Sequence, residues 1–169
     1  MMSPLRFIVP LAAAVVILAA SEANAQFTSP LSDKVMDLRG EWKRDPSRGV
    51  GGICGVSVDD TVAFDITPEP PTVTIRSGRL SAVIPLDGSS AAQGVDRTVV
   101  AATDAGWLKV TMTQARNGGF ANVMQDVFIL NRDRTELTLW RTLNVVMPDG
   151  SSGKIDCGNR VAVVYVRQK

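Results

Sequence analysis

The feature that most constrains this chain is a series of short runs with β-strand character, each ended by turn-forming residues. The clearest run is Trp107 to Gln114, in which Leu108, Val110 and Met112 alternate with residues of the opposite face. Side chains along a strand point alternately to its two faces, so this alternation is typical of a strand with one buried face. Because no long helical pattern interrupts the series, the sequence predicts an all-β antiparallel domain.

A second stretch shows how these runs are joined. Val127 to Leu130 and Leu137 to Val146 have β-strand composition, and the polar segment Asn131 to Arg134 separates them. Met147-Pro148-Asp149-Gly150 then ends the second run, because proline cannot donate to a ladder and Asp-Gly suits a tight turn. The stretch therefore predicts a β-hairpin.

The short connections along the chain favour an up-and-down meander of about eight strands. In a meander, the first and last strands either pair with each other or remain edge strands with unpaired backbone N–H and C=O groups. We therefore expect the sheet to close into a barrel rather than form a sandwich.

The N-terminal segment has the pattern of a signal peptide. Arg6 precedes the apolar run from Phe7 to Ala20, and Ala23-Asn24-Ala25 is a small-x-small cleavage site. The alternative is an N-terminal membrane anchor, although the run is short for a permanent span. The expected organisation is a signal peptide at 1–25, an N-terminal arm or short helix at 26–37 and a barrel domain at 38–169. The mature chain would be periplasmic or secreted, with no membrane span.

Composition excludes several classes of function. The 18 basic and 17 acidic residues are interleaved, whereas a nucleic-acid surface would need a basic stripe. The chain has no histidine, so Ser-His and Cys-His catalytic pairs are absent and we expect no enzyme activity.

The two cysteines, Cys54 and Cys157, both follow the signal peptide. An exported protein meets an oxidising compartment, so we expect a disulfide between them, near the place where a barrel would close. The alternative is two separate thiols. Two cysteines without histidine cannot complete a tetrahedral metal site, so no metal is expected.

Short motifs along the chain resemble those of the lipocalin-like, or calycin, barrels that bacteria export. Gly40-Glu41-Trp42 is a Gly-x-Trp motif on the first predicted strand, and Asp87-Gly88 resembles an inner turn. Leu137 to Thr142 (LTLWRT) and Val163 to Arg167 (VVYVR) resemble two later strands. The resemblance implies a lipocalin-like barrel that binds a small hydrophobic or amphipathic ligand, without a cofactor.

The chain also resembles bacterial inhibitors of secreted metalloproteases, which are small exported barrels with a Gly-x-Trp strand and one disulfide. Those proteins act through an extended N-terminal segment, which here would be Gln26 to Asp37. The late position of Cys157 departs from that family. A protein partner is therefore the alternative to a small ligand, and a structural or stress-related envelope protein with a filled core is a third hypothesis.

Six residues are candidates for contact with a ligand: Arg141, Trp140, Trp42, Phe128, Met112 and Tyr165. Alternation places Arg141 on the same face as Leu137 and Leu139, and a buried guanidinium requires a partner. That partner could be an acidic side chain such as Asp126 or Glu136, carbonyl oxygens, the Trp42 ring or an anionic ligand head. Trp42 has a second interpretation as a barrel-floor plug stacked beneath Arg141 or Arg167.

Overall fold

A computed structural model describes residues 33–49, 52–53, 56–104, 106–155 and 162–169 of the chain. The predicted signal peptide at 1–25 lies outside these residues, as does the predicted arm up to residue 32. Cys54 and Cys157 also lie outside them, so the predicted disulfide remains a prediction.

The described residues are almost entirely β-strand. A single helical turn, α1 (Asp33–Met36), precedes the strands, and a short 3-10 turn occupies Asn117–Gly119. The strands are β1 (Gly40–Arg44), β2 (Gly52–Ile53), β3 (Val56–Ser57), β4 (Thr61–Pro68), β5 (Pro71–Ser77), β6 (Ser81–Pro85), β7 (Ser90–Ala92), β8 (Arg97–Asp104), β9 (Trp107–Ala115), β10 (Ala121–Leu130), β11 (Glu136–Val146), β12 (Ser152–Lys154) and β13 (Val163–Arg167). Within the described ranges, no helix is long and apolar enough to cross a bilayer.

One antiparallel sheet contains all of these strands except β2 and β3, which form a small ribbon. The sheet order is β6-β5-β4-β1-β13-β11-β10-β9-β8-β7, and β12 pairs with the far end of β11. β1 and β13 pair directly, so the predicted contact between the first and last strands is present. The two ends of the sheet, β6 and β7, approach each other without pairing, and the sheet is therefore a nearly closed barrel.

The predicted count of about eight strands was too low, since the main sheet contains 11 strands in the described part of the chain. β7 and β12 account for part of the difference. Their sequences, Ser-Ala-Ala and Ser-Gly-Lys, contain no β-branched or aromatic residue, so propensity alone does not mark them as strands.

The core fills the barrel interior with the inward residues of successive strands. Trp42, Phe64, Leu108, Leu139 and Tyr165 are among its largest buried side chains. The rings of Phe64 and Phe128 meet edge to face with centroids 5.0 Å apart, an arrangement that aromatic pairs prefer. The barrel is therefore largely packed with its own side chains, which limits any internal cavity to a small volume.

Candidate functional site

Trp42 closes one end of the barrel, which we call the floor. Its indole is fully buried and its Nε1 donates a hydrogen bond to the Leu38 carbonyl at 2.8 Å. The Arg167 guanidinium stacks 4.3 Å from the centroid of the Trp42 ring. Arg167 also donates to the backbone carbonyls of Asp37 and Arg39. Arg167, rather than Arg141, is therefore the residue that stacks on Trp42. The Trp42–Arg167 pair stabilises the floor.

A cavity lies toward the opposite end, the mouth, where the turn between β5 and β6 lies. Six of its apolar lining residues come from three strands and that turn: Leu80, Val110, Met112, Met124, Phe128 and Leu139. Met112 on β9 and Met124 on β10 are directly opposite in the strand register. Because methionine is flexible and polarisable, this pair forms a soft wall that can adapt its shape to a ligand.

An ion pair between Arg141 and Asp126 forms the polar wall of the cavity. The two residues are paired in register on β11 and β10, and both face inward. Arg141 Nε and Nη2 donate to the two carboxylate oxygens of Asp126 at 2.6 and 2.7 Å. The side chains are only 6% and 13% exposed. Burial alone would lower the pKa of Arg141, but the hydrogen bonds and charge of Asp126 outweigh it and raise that pKa.

A second polar group borders the mouth of the cavity. Arg79 Nε lies 3.6 Å from the Asp59 carboxylate, and Arg79 Nη2 donates to the Ser57 hydroxyl. The Tyr165 hydroxyl donates to the Asp59 backbone carbonyl at 3.0 Å, while burial raises the pKa of its phenol. These contacts hold the segment between β3 and β4 against the mouth.

The cavity has a volume of ≈ 40 Å³. A dry apolar cavity of about 150 Å³ accommodates benzene, and about 10–15 Å³ suffices for one water molecule. The cavity therefore admits a short aliphatic group or a few waters in this conformation. A larger ligand would require the side chains of Met112 and Met124 to move.

The structure separates the six predicted site residues into three groups. Arg141, Phe128, Met112 and Tyr165 line the cavity. Trp42 lies in the floor beneath Arg167 rather than at the cavity wall. Trp140 follows the inward Leu139 and therefore points outward, where it is 38% exposed and does not line this cavity.

Three polar residues at the cavity were not predicted as site residues, namely Asp59, Ser77 and Arg79. The sequence pattern around Asp59 predicts a solvated turn, and Ser77-Gly78 also predicts a turn. Their convergence depends on how the segments before β4 and after β5 meet at the mouth, which strand alternation does not encode.

The charged groups at the cavity are paired with one another. The described residues contain no group of three or more side chains suited to holding a metal ion. Arg141 and Asp126 satisfy each other through two hydrogen bonds, so neither is presented as a free acid or base. The cavity instead combines apolar walls with a few fixed polar groups, which is typical of small-molecule sites.

Comparisons with protein-family models, curated proteins and solved structures gave no match to this chain.

Proposed function

We propose that this chain is an exported binding protein that holds a small, partly apolar ligand in the mouth of a lipocalin-like barrel. The observation that carries the proposal is the cavity, whose apolar walls meet the Arg141–Asp126 and Arg79–Asp59 pairs. Such pairs give polar ligand atoms fixed partners, while the apolar walls contribute through burial of hydrocarbon. The small volume limits the buried part of the ligand to a short group.

The proposal can be tested by NMR with ¹³C-methyl-labelled methionine. Met112 and Met124 line the cavity, whereas Met147 lies outside it and is 40% exposed. Titration with straight-chain alcohols from butanol to decanol should shift the methyl signals of Met112 and Met124 in a saturable manner. The Met147 signal should stay in place and serves as the internal reference. Leucine variants of each methionine assign the signals.

A filled-core structural protein is the second candidate, and the small cavity volume is the observation that favours it. The two candidates differ in what the titration shows. Saturable shifts confined to Met112 and Met124 support ligand binding. If neither signal moves with any chain length, or if all methionine signals move together and without saturation, the binding proposal is wrong and the filled-core candidate is favoured. Native mass spectrometry of protein purified from its own compartment then searches for the natural ligand.

A further inference from the structure

A third arginine lies at the mouth end of the barrel and is not part of the cavity lining itself. Arg97 is the first residue of β8, and alternation with the fully buried Val99 and Ala101 directs its side chain inward. In the register with β9, Val99 is opposite Met112, while Arg97 is opposite Gln114. Arg97 therefore lies two residues nearer the mouth than Val99, the cross-strand neighbour of Met112. At about 3.4 Å per residue, this is a distance of about 7 Å.

Arg97 differs from the other two arginines in its contacts. Its Nε is buried and has no hydrogen-bond partner among the described residues. Within that same part of the chain, none of the ion pairs includes Arg97. The neighbouring Asp96 is exposed and accepts a hydrogen bond from Gln114 at 3.0 Å. A buried donor without a partner is energetically unfavourable, so this guanidinium is suited to an external acceptor.

The charges at the mouth favour one kind of ligand head. Arg79 and Arg141 form ion pairs with Asp59 and Asp126, whereas Arg97 is in no ion pair among the described residues. The Arg97 guanidinium therefore has a positive charge that no direct ion pair in that part of the chain neutralises. A carboxylate would neutralise it with its single charge, whereas a phosphate monoester carries about −1.5 to −2 at neutral pH. The adjacent Nε and Nη groups of an arginine also match the two oxygens of a carboxylate.

We propose that the ligand of this cavity is an aliphatic monocarboxylate whose head is bound by Arg97 and whose chain packs against the wall formed by Met112 and Met124. This inference rests on the ligand-binding function proposed above and identifies the chemical class of the ligand. The Arg141–Asp126 pair then forms a neutral polar wall beside the chain, and Arg97 determines selectivity for the head group.

Three compounds of equal chain length test the inference: hexanoate, hexanol and hexylamine. Their dissociation constants are measured from the Met112 and Met124 methyl shifts in the wild-type protein and in Arg97→Gln and Arg97→Lys. Arg132→Gln is the matched control, because Arg132 is exposed and lies in the turn at the floor end. We expect hexanoate to bind most tightly to the wild-type protein. Arg97→Gln should weaken hexanoate about ten- to hundred-fold and leave hexanol unchanged.

The two proposals fail in different ways. If hexanol and hexanoate bind equally well and Arg97→Gln changes neither, the cavity binds ligands but the assignment of a carboxylate to Arg97 is wrong. If none of the three compounds shifts the methionine signals, both proposals are wrong. Arg97→Lys should retain part of the affinity for hexanoate because it keeps the charge but loses the two-pronged geometry. Unchanged hexanol binding in Arg97→Gln shows that the variant is folded, and Arg132→Gln should behave as wild type.

Discussion

Arg141 and Asp126 are buried together in a barrel whose other interior residues are mainly apolar. Removing two charges from water costs several kcal/mol per ion, and their attraction compensates only when the geometry is good. The two hydrogen bonds of 2.6 and 2.7 Å satisfy that condition. Even so, such a pair adds little net stability compared with apolar residues of similar volume. Its location in the cavity wall is better explained by the polarity that it gives to the site.

A double-mutant cycle tests this interpretation. Asp126→Leu or Arg141→Met alone leaves one buried charge without a partner, and each should lower the free energy of unfolding by about 3–5 kcal/mol. The double variant leaves no orphaned charge and should be more stable than either single variant. Urea denaturation of the four proteins gives the coupling energy. Additive losses in the double variant would show that the pair is not coupled in the folded state.

The contacts at the cavity were only partly predictable from single residues. Strict alternation with Leu139 places Arg141 inward, and the register then makes Asp126 its neighbour. Arg79 and Asp59 lie in connecting segments, where no periodicity indicates the direction of a side chain. Alternation along the strands therefore predicted the inward direction of Arg141, but no pattern in the sequence predicted the polar border formed by the turns.

At the level of elements, the unpaired edges of β6 and β7 are the weakest part of the sheet. Two hydrogen bonds flank β6 and define its pairing with β5. They run from Ser77 N to Leu80 O and from Leu86 N to Pro71 O. In an antiparallel pair this pattern repeats at every second residue, so the N–H groups of Ser81 and Val83 point away from β5. By the same reasoning, the bond from Gln93 N to Arg97 O leaves the N–H groups of Ser90 and Ala92 pointing away from β8. These groups face the gap where the barrel is not closed by hydrogen bonds.

Hydrogen exchange measured residue by residue should reveal this gap. We expect the amides of Val83 and Ala92 to exchange much faster than those of Ile84 and Ala91, because only the latter donate to a neighbouring strand. The comparison is internal, since each fast amide has a slow neighbour on the same strand. Equal protection on both sets of residues would mean that β6 and β7 pair in solution and that the barrel is closed.

Turns of the sequence Asp-x-Ser recur at three connections of the chain. Ser47, Ser89 and Ser151 each donate a backbone N–H to the carboxylate two residues earlier, at 2.9, 2.8 and 2.9 Å. The side-chain hydrogen bond from Ser47 lowers the pKa of Asp45. Corresponding bonds from Ser89 and Ser151 lower the pKa values of Asp87 and Asp149. The turns therefore favour the ionised carboxylate in the folded state.

These shifts predict how stability depends on pH. A carboxyl whose pKa is lower in the folded protein than its ordinary value of 3.8 stabilises the fold above that value. That contribution is lost as the pH falls below 3.8 and passes through the lowered pKa. A triple variant, Ser47→Ala, Ser89→Ala and Ser151→Ala, should therefore lose less stability on acidification than the wild type does. Urea midpoints measured across this pH range check the effect.

The control for this experiment replaces three other exposed serines, Ser81, Ser90 and Ser152, with alanine. That variant should retain the wild-type dependence of stability on pH. If it loses the acid sensitivity to the same extent as the first triple variant, the effect does not come from the Asp-x-Ser turns.

Strand prediction succeeded where hydrophobic alternation was strong. The predicted run from Trp107 to Gln114 corresponds to β9 (Trp107–Ala115), and Leu137 to Val146 lies within β11 (Glu136–Val146). β7 and β12 were missed because each is three residues long and forms by pairing with a longer neighbour. Strands of that kind are specified by tertiary contacts rather than by their own propensity.

For the molecule as a whole, β13 is the strand on which the integrity of the sheet depends. It lies between β1 and β11, and the opposite ends of the sheet, β6 and β7, are not paired. Among the described strands, β13 is therefore the one through which hydrogen bonds connect β1, β4, β5 and β6 with the strands from β7 to β11. The pairing of first and last strands was predictable because a meander otherwise leaves raw edges. The unpaired position between β6 and β7 was not predictable from alternation.

Two proline substitutions with opposite expected outcomes test this arrangement. The bond from Gln168 N to Glu41 O and the register of β1 with β13 indicate that the Val166 N–H donates to Lys43. Val166→Pro removes this bond from the middle of the sheet and leaves the Lys43 carbonyl without its donor, which should lower the free energy of unfolding by about 1–3 kcal/mol. Val83→Pro replaces an N–H that faces the gap and should cost far less, because proline is tolerated on edge strands. Urea denaturation compares the two variants, with Val166→Ala and Val83→Ala accounting for the loss of each side chain. Equal losses for the two prolines would contradict the assignment of β13 as the central connection and of β6 as an edge.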